Sequence, residues 1–115
     1  MLTIYGIRNC DTMKKAMAWL DQHGIAYTLH DYKKSGIDAG TLAAWEQQLG
    51  WETLLNRRGT TWRKLDSATQ AGITRDSALA LMQAQPSLIK RPVVAMGAHL
   101  LCGFDEAAWL EQLAT

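Results

Sequence analysis

The sequence predicts an α/β fold with a mixed four-stranded sheet, and three observations lead to this prediction. The first segment, of roughly 30 residues, is typical of a strand, a helix and a second strand. The middle of the chain is mostly helical, and the last part reads as strand, strand, helix. The chain has 115 residues, of which 48% are hydrophobic and 20% charged, as is typical of one soluble domain with a single core.

The N-terminal strand-helix-strand unit is predicted from a change in hydrophobic period. "LTIY" is typical of a short buried strand that ends at Gly6. One helix face then follows at the i, i+3, i+4, i+7 spacing, formed by Met13, Ala16, Met17 and Leu20. Gly24 is expected to end this helix, and "IAYTLHDY" returns to strand character. The two strands of such a unit are expected to be parallel.

The middle segment, at about 36–86, is predicted as a mostly helical insertion. Asp38 or Thr41 is a candidate N-cap for "LAAWEQQLG", "WETLLN" predicts a short helical turn, and a turn is expected around Gly59. Thr74 is a candidate N-cap for a further helix that ends before Pro86.

The C-terminal part predicts a hairpin and a last helix. "VVAM" and "HLLC" are typical of strands joined by a tight turn at Gly97, and "DEAAWLEQL" is typical of a helix. The summed order, with the helical insertion between β-α-β and β-β-α, is a thioredoxin-like arrangement. Residues 1–115 are expected to form a single domain, because no repeat or linker divides them.

Charge and cysteine content exclude several classes of protein. Twelve Lys and Arg residues against 11 Asp and Glu residues give a net charge of +1, so no overall field exists to attract nucleic acid or a membrane surface. Two cysteines do not form a disulfide scaffold, and the three histidines lack metal-ligand spacing, so no metal is expected. The absence of a basic leader and of a membrane span predicts a cytoplasmic protein, and we expect a monomer.

The stretch "GIRNCDTMKK" places Cys10 where a strand gives way to a helix. A thiolate is favoured at a helix N-terminus and near cations, here Arg8, Lys14 and Lys15, whereas Asp11 acts in the opposite direction. We therefore predict a moderately lowered pKa for the Cys10 thiol. The alternative is that Cys10 is only a small turn residue.

The motif around this cysteine is C-x-x-M, which excludes the local dithiol chemistry of C-x-x-C. A second thiol must then come from elsewhere. Cys102 lies in the apolar run "HLLCGF" and is interpreted as a buried strand cysteine. The external candidate is glutathione, whose two carboxylates require cations nearby.

Two stretches supply arginines that suit a carboxylate or an oxyanion. "IKRPVV" contains Arg91, and "NRRGTTWRK" contains four cations within eight positions, Arg57, Arg58, Arg63 and Lys64. Solvated surface charge is the alternative for both stretches. The tryptophans within helical patterns, Trp19, Trp45 and Trp109, are predicted to be core residues.

Taken together, "IYGIRNCDTMKKAMAWL", "RGTTWRKL" and "IKRPVV" resemble the arsenate reductase/Spx family, and most closely its YffB-like branch. The resemblance implies a thioredoxin-like fold with a helical insertion, and it puts Cys10 at the position of the nucleophilic cysteine. It also implies that Arg91 is the arginine of the family's R-P motif, that Pro92 is cis and faces the active cysteine, and that Arg58 is a further catalytic arginine.

Two departures from the family pattern narrow the expected function. The third arginine of the arsenate reductases is replaced by Gly103, and the C-x-x-C of many Spx regulators is C-x-x-M here. The resemblance then implies a glutathione-dependent thiol reductase, with glutathione as co-substrate, an oxidised thiol or oxyanion as substrate and glutaredoxin as a partner. The residues expected to bind glutathione or substrate are Arg8, Asn9, Lys14, Lys90 and Pro92. An Spx-like regulator that binds RNA polymerase, and an arsenate reductase, are the alternatives.

Overall fold

A computed structural model describes residues 2–114, which form two compact units. The first unit contains the described residues up to Asp31 and those from Arg91 onwards, and the second unit is Tyr32–Lys90. The second unit therefore begins and ends slightly outside the segment predicted as the helical insertion.

The described residues form four strands, eight α-helices and one short 3-10 helix. In chain order these are β1 (Leu2–Gly6), α1 (Asp11–Gln22), β2 (Tyr27–Asp31), α2 (Tyr32–Ser35), α3 (Ala39–Leu49), α4 (Trp51–Leu54), α5 (Thr60–Arg63), α6 (Ser67–Ala71), α7 (Arg75–Ala84), the 3-10 helix (Pro86–Leu88), β3 (Val93–Met96), β4 (His99–Cys102) and α8 (Glu106–Leu113).

The sheet of the first unit has the strand order β2-β1-β3-β4. Strand β1 is parallel to β2 and antiparallel to β3, and β3 is antiparallel to β4. This is a mixed four-stranded sheet, and the fold is α/β and thioredoxin-like, as the sequence predicted. Tyr5, Val93 and Cys102 are partners in one row across three strands. The end of β1, the start of β3 and the end of β4 therefore lie at one edge of the sheet.

Helix α1 packs its apolar side against this sheet and against α8. Its buried residues are Met13, Ala16, Trp19 and Leu20. Met17, which the sequence predicted on this face, is only half-buried, and Trp19 takes the deeper position. The Trp19 ring meets the Trp109 ring edge-on at 5.5 Å between centroids, so tryptophans form part of the core as predicted.

Helix α1 ends in a Schellman motif that depends on a glycine. Gly24 has a φ of +65°, which glycine adopts without a steric penalty. The Gly24 and Ile25 N–H groups donate to the carbonyls of Asp21 and Leu20, at 3.1 and 3.0 Å. The predicted role of Gly24 is confirmed.

The second unit is helical, and its longer helices begin at the predicted caps. The Asp38 carboxylate accepts the Thr41 N–H at 2.7 Å, and Thr74 forms a capping box with Ser77. Helices α3, α4, α7 and the 3-10 helix pack on one another, and their buried residues are Leu42, Trp45, Leu54, Ala78, Met82 and Leu88. Helices α2, α5 and α6 were not predicted, because four or five residues are too few to show a helical hydrophobic period.

Candidate active site

Cys10 is the N-cap residue of α1. Its backbone is extended, with φ −117° and ψ 133°, and its carbonyl accepts the Lys14 N–H at 2.9 Å. The side chain is half-buried and packs against the core that α1 forms with the sheet. The thiol thus lies at the helix end whose amide groups lack intrahelical partners.

The surroundings of the sulfur favour its ionised form. Burial raises the pKa of the Cys10 thiol, but the Met13 N–H, the positive charge of Arg91, the Thr12 N–H and a hydrogen bond from the Arg91 side chain together bring it below its ordinary value. The Cys10 side chain forms no cap hydrogen bond in this structure, and the two N–H groups lower the thiol pKa by favouring negative charge on the sulfur. A larger fraction of this thiol is therefore ionised at a given pH than in an ordinary cysteine, and the thiolate is the nucleophilic form.

Burial of the Cys10 side chain is what raises its pKa, whereas the sequence analysis expected the carboxylate of Asp11 to raise it. Arg91, which the family resemblance assigned to the site, is the cation that lowers the thiol pKa, whereas Arg8, Lys14 and Lys15, which sequence spacing also indicated, are not among the causes of the shift. The reason is position, because the three cations that are close in sequence are exposed.

Arg91 and Pro92 immediately precede β3. The Arg91–Pro92 peptide bond is cis, as the resemblance implied, and Pro92 is buried. The Pro92 carbonyl accepts the Gly103 N–H at 2.8 Å, which ties this turn to the residue after β4. Because β3 pairs with β1, the half-buried Arg91 enters at the same edge of the sheet as Cys10, and the two side chains come together.

Met13 occupies the position of the second cysteine in a C-x-x-C motif, and it is fully buried. Its side chain lies directly against the Gly6 backbone, because a Cβ at Gly6 would overlap the Met13 Sδ and Cε atoms. The side chain of Met13 therefore anchors the first turn of α1, while its N–H acts on the Cys10 sulfur.

Cys102 is the last residue of β4 and the register partner of Val93. It is half-buried, so the expected fully buried cysteine is only partly correct. Cys102 is part of the strand pairing, and no helix begins there. No disulfide joins Cys10 and Cys102 in this structure.

Gly103, which the family resemblance puts at the position of a third arginine of arsenate reductases, has a φ of +86°. This backbone conformation strains any residue with a Cβ. The Gly103 carbonyl also accepts the Trp109 indole N–H at 3.1 Å. An arginine at this position would thus require the backbone to change.

The remaining predicted site residues divide between the two units. Arg8, Asn9 and Lys14 are exposed and flank Cys10 in sequence. Arg58 and Lys90 are exposed residues of the second unit, so their part in the site stays a prediction. Among residues 2–114, no group of histidine, cysteine or acidic side chains is arranged to hold a metal ion. Over the same residues, no helix has both the length and the apolar character needed to cross a membrane.

The sequence matches the model of the ArsC family over residues 5–112. The chain belongs to the ArsC family. This match spans the whole arrangement described above, from β1 through the Cys10 turn and the second unit to α8.

Members similar to this chain include two solved structures and one protein of Haemophilus influenzae. A YffB protein is 52% identical, with a TM-score of 0.95 and coverage of 99% of this chain and 100% of that chain. A protein of Brucella melitensis that is related to arsenate reductase is 51% identical, with a TM-score of 0.79, and the match covers 99% of this chain and 95% of that chain. The Haemophilus influenzae protein, which is uncharacterised, is 45% identical over 106 residues, or 92% of this chain and 93% of its own length.

A more distant ArsC relative is a regulator. The global transcriptional regulator Spx 1 of Lactococcus lactis is 26% identical over 108 residues, which is 92% of this chain and 84% of that protein. The family thus includes proteins named for arsenate reduction and proteins named for regulation.

Proposed function

We propose that this ArsC-family chain is a glutathione-dependent thiol reductase that uses Cys10 as its single nucleophile. The observation that carries the proposal is the lowered pKa of the Cys10 thiol at the N-terminus of α1, beside Arg91. A thiolate is the attacking form in thiol-disulfide exchange.

In the proposed reaction, the Cys10 thiolate attacks the glutathione sulfur of a mixed disulfide between glutathione and a substrate thiol. A Cys10–glutathione disulfide forms, and the substrate leaves as a thiolate that takes up a proton. The thiolate of a second glutathione then attacks this disulfide, which gives oxidised glutathione and returns Cys10 to its thiolate form. Per turnover the substrate thiol is released in reduced form and one free glutathione is oxidised, leaving as a disulfide with the glutathione that came from the substrate.

Each residue near the sulfur has a definite task in this scheme. The N–H groups of Met13 and Thr12 and the guanidinium of Arg91 stabilise the sulfur as an anion, both before attack and when it leaves in the second step. Arg8, Asn9, Lys14, Lys90 and Pro92 are proposed to hold the glutathione moiety, and Arg58 is proposed to assist Arg91.

The absence of a local dithiol supports resolution by an external thiol. Met13 fills the core position that a second cysteine of the motif would occupy, so the first step leaves no neighbouring thiol within the turn. Glutathione or glutaredoxin would supply the missing thiol.

The test is a turnover assay with a glutathionylated peptide, glutathione and a coupled measurement of oxidised glutathione. We expect turnover, and we expect intact-protein mass spectrometry to show one glutathione on Cys10 when the second glutathione is withheld. If neither turnover nor the adduct is observed, the reductase proposal is wrong.

Arsenate reduction is disfavoured by the backbone at Gly103, where the third arginine is absent. An arsenate assay with glutathione and glutaredoxin should therefore give no rate above background. The second candidate, a regulator without turnover, is favoured by the similarity to the Spx 1 protein. Capture of the RNA polymerase α subunit at physiological salt, by a chain that shows no turnover, would support it.

A further inference from the structure

We propose that the segment 56–64, called here the basic loop, uses its exposed cations as a docking surface for an acidic segment of another protein. The proposal concerns a binding event that needs no thiol, and Arg58 alone among the cations of the loop also belongs to the proposed reductase site, so the variants that test it leave Arg58 in place.

The charge of the basic loop is out of proportion to that of the chain. Its nine residues include no acidic residue. Four of them are cations, namely Arg57, Arg58, Arg63 and Lys64. Since the whole chain carries +1, the remaining residues carry a net charge of −3. Such a concentration of like charge destabilises the folded loop through repulsion, and an anionic ligand would relieve this repulsion.

The four cations are open to solvent and have no carboxylate partner among the described residues. Each of them is exposed. Two ion pairs of the second unit join Arg75 to Glu46 at 2.8 Å and to Asp76 at 2.7 Å, and neither involves the basic loop.

Contacts within the loop order its backbone at Arg58 and the side chains of Arg57 and Arg63. The Arg58 N–H donates to the Asn56 Oδ1 atom at 3.1 Å, and the Arg63 guanidinium donates to the Arg58 carbonyl. The Arg57 guanidinium lies 5.5 Å from the centroid of the Trp62 ring. A surface whose side chains are already ordered loses less entropy when it binds a partner.

The loop is also attached to the rest of the second unit. The Asn56 N–H donates to the Leu88 carbonyl at 2.7 Å, and the hydroxyls of Thr61 and Ser87 are 2.6 Å apart. The Gln70 amide donates to the Trp62 carbonyl at 2.8 Å. The four cations are thus displayed on a structured support.

These features fit an acidic protein segment better than a nucleic acid. A long polyanion would extend beyond the nine residues of the loop and meet a molecule whose remaining charge is −3. Binding of single strands also relies on open aromatic faces, whereas Trp62 is half-buried with Arg57 over its ring. Guanidinium groups match carboxylates through paired hydrogen bonds.

The test measures binding of a fluorescently labelled polyglutamate peptide by anisotropy over a series of salt concentrations. We expect binding that weakens as salt is added. Replacing two cations of the basic loop, in the double variant Arg63→Gln with Lys64→Gln, should weaken binding by about fivefold, since each exposed ion pair contributes modestly.

A matched control is available in the same unit. Lys33 and Lys34 are adjacent and exposed, as Arg63 and Lys64 are, so the double variant Lys33→Gln with Lys34→Gln removes the same charge from another part of the unit. This control should bind the peptide within about twofold of the unaltered protein. Equal weakening in the two double variants would overturn the proposal.

A second measurement avoids any loss of folding in the variants. Addition of the peptide to the isotopically labelled unaltered protein should shift the amide NMR signals of residues 56–64, and shifts confined to other residues would contradict the proposal. Two further probes are an oligonucleotide of equal charge and vesicles containing phosphatidylserine. If either binds as tightly as the peptide, the proposal of an acidic protein segment is overturned in favour of that class of ligand.

Discussion

Cys10 and Cys102 are both half-buried cysteines of the first unit, and both lie at the same edge of the sheet, yet their backbone settings differ. Cys10 precedes a helix and faces amide groups without intrahelical partners, while Cys102 ends a strand and is paired with Val93. The charge of Arg91 acts on Cys10. The comparison teaches that exposure alone does not set the reactivity of a thiol, because the donors around the sulfur decide which protonation state is favoured.

The largest expected effect separates the two cysteines directly. Cys10→Ser should reduce turnover of a glutathionylated peptide to background, a loss of roughly a thousandfold or more, because the nucleophile is removed. Cys102→Ser should retain turnover within about threefold. The coupled assay for oxidised glutathione measures both. Equal losses would show that Cys102 takes part in the reaction and that the distinction between the two settings is wrong.

The next effect concerns Gly6, which allows Met13 to approach the backbone. Gly6→Ala should lower the free energy of unfolding by about 1–3 kcal/mol, because the new methyl group overlaps the Met13 side chain. Displacement of the Met13 N–H should also raise the pKa of Cys10. Chemical denaturation and the pH dependence of iodoacetamide alkylation measure the two effects.

Gly97→Ala is the matched control for Gly6→Ala. Gly97 has a φ of +59° in the hairpin turn between β3 and β4, so alanine there should cost about 1 kcal/mol of stability. It should leave the pKa of Cys10 unchanged. If both variants moved the pKa equally, the Met13 contact would have no special role.

A smaller effect is expected from Arg91. Arg91→Ala removes a positive charge and a hydrogen bond from the Cys10 sulfur, so the pKa of the thiol should rise and alkylation at neutral pH should slow by about tenfold. The rate profile of the unaltered protein should therefore have its midpoint at lower pH than that of the variant. Arg91→Lys keeps the charge and should give an intermediate midpoint. Coincident profiles for all three proteins would remove Arg91 from the site.

The same shift of the Cys10 pKa makes stability depend on pH in a definite direction. The folded-state pKa is the lower one, so the thiolate adds stability above the pKa of the unfolded thiol, about 8.5. This contribution is lost as the pH falls through the folded-state pKa. The difference in unfolding free energy between the unaltered protein and Cys10→Ala should therefore increase towards alkaline pH, and a difference that stays constant with pH would contradict the lowered pKa.

The smallest effect is a gain of stability in an inactive variant. Serine is a favourable N-cap, so Cys10→Ser should stabilise α1 by about 0.5–1 kcal/mol at a pH where the thiol is neutral. Asp38, Asp66, Thr74 and Asp105 already accept backbone N–H groups at the caps of other helices. Thermal unfolding measures the gain. A decrease in stability at Cys10→Ser would mean that its thiol contributes more to the cap than oxygen can.

The strands of the sheet and the longer helices could be predicted from the sequence because their signals are local. The residues of "VVAM" and "HLLC" form β3 and β4 with the predicted boundaries, and Asp38 and Thr74 cap the helices predicted for them. A hydrophobic period and a capping side chain are each visible within a few residues.

The surroundings of Cys10 could be predicted only in part, because they combine segments that are distant in sequence. The helix N-terminus was predicted from local spacing, whereas Arg91 was assigned to the site only through the family resemblance, because it lies 81 positions after Cys10 and reaches it through the pairing of β1 with β3. The nearby charges Lys14, Lys15 and Asp11 appeared more influential from spacing than they are in the folded protein. The contact between Gly6 and Met13 was also missed, since no local pattern records which side chain lies over a glycine.

The buried thioether of Met13 limits how this protein could be redesigned. Replacing Met13 by cysteine would complete a C-x-x-C motif, but it would leave a void in the fully packed core and place the new thiol among hydrocarbon, where ionisation is disfavoured. Alanine at position 6 would fill part of that void. A design that converts this protein to dithiol chemistry should therefore alter positions 6 and 13 as a pair.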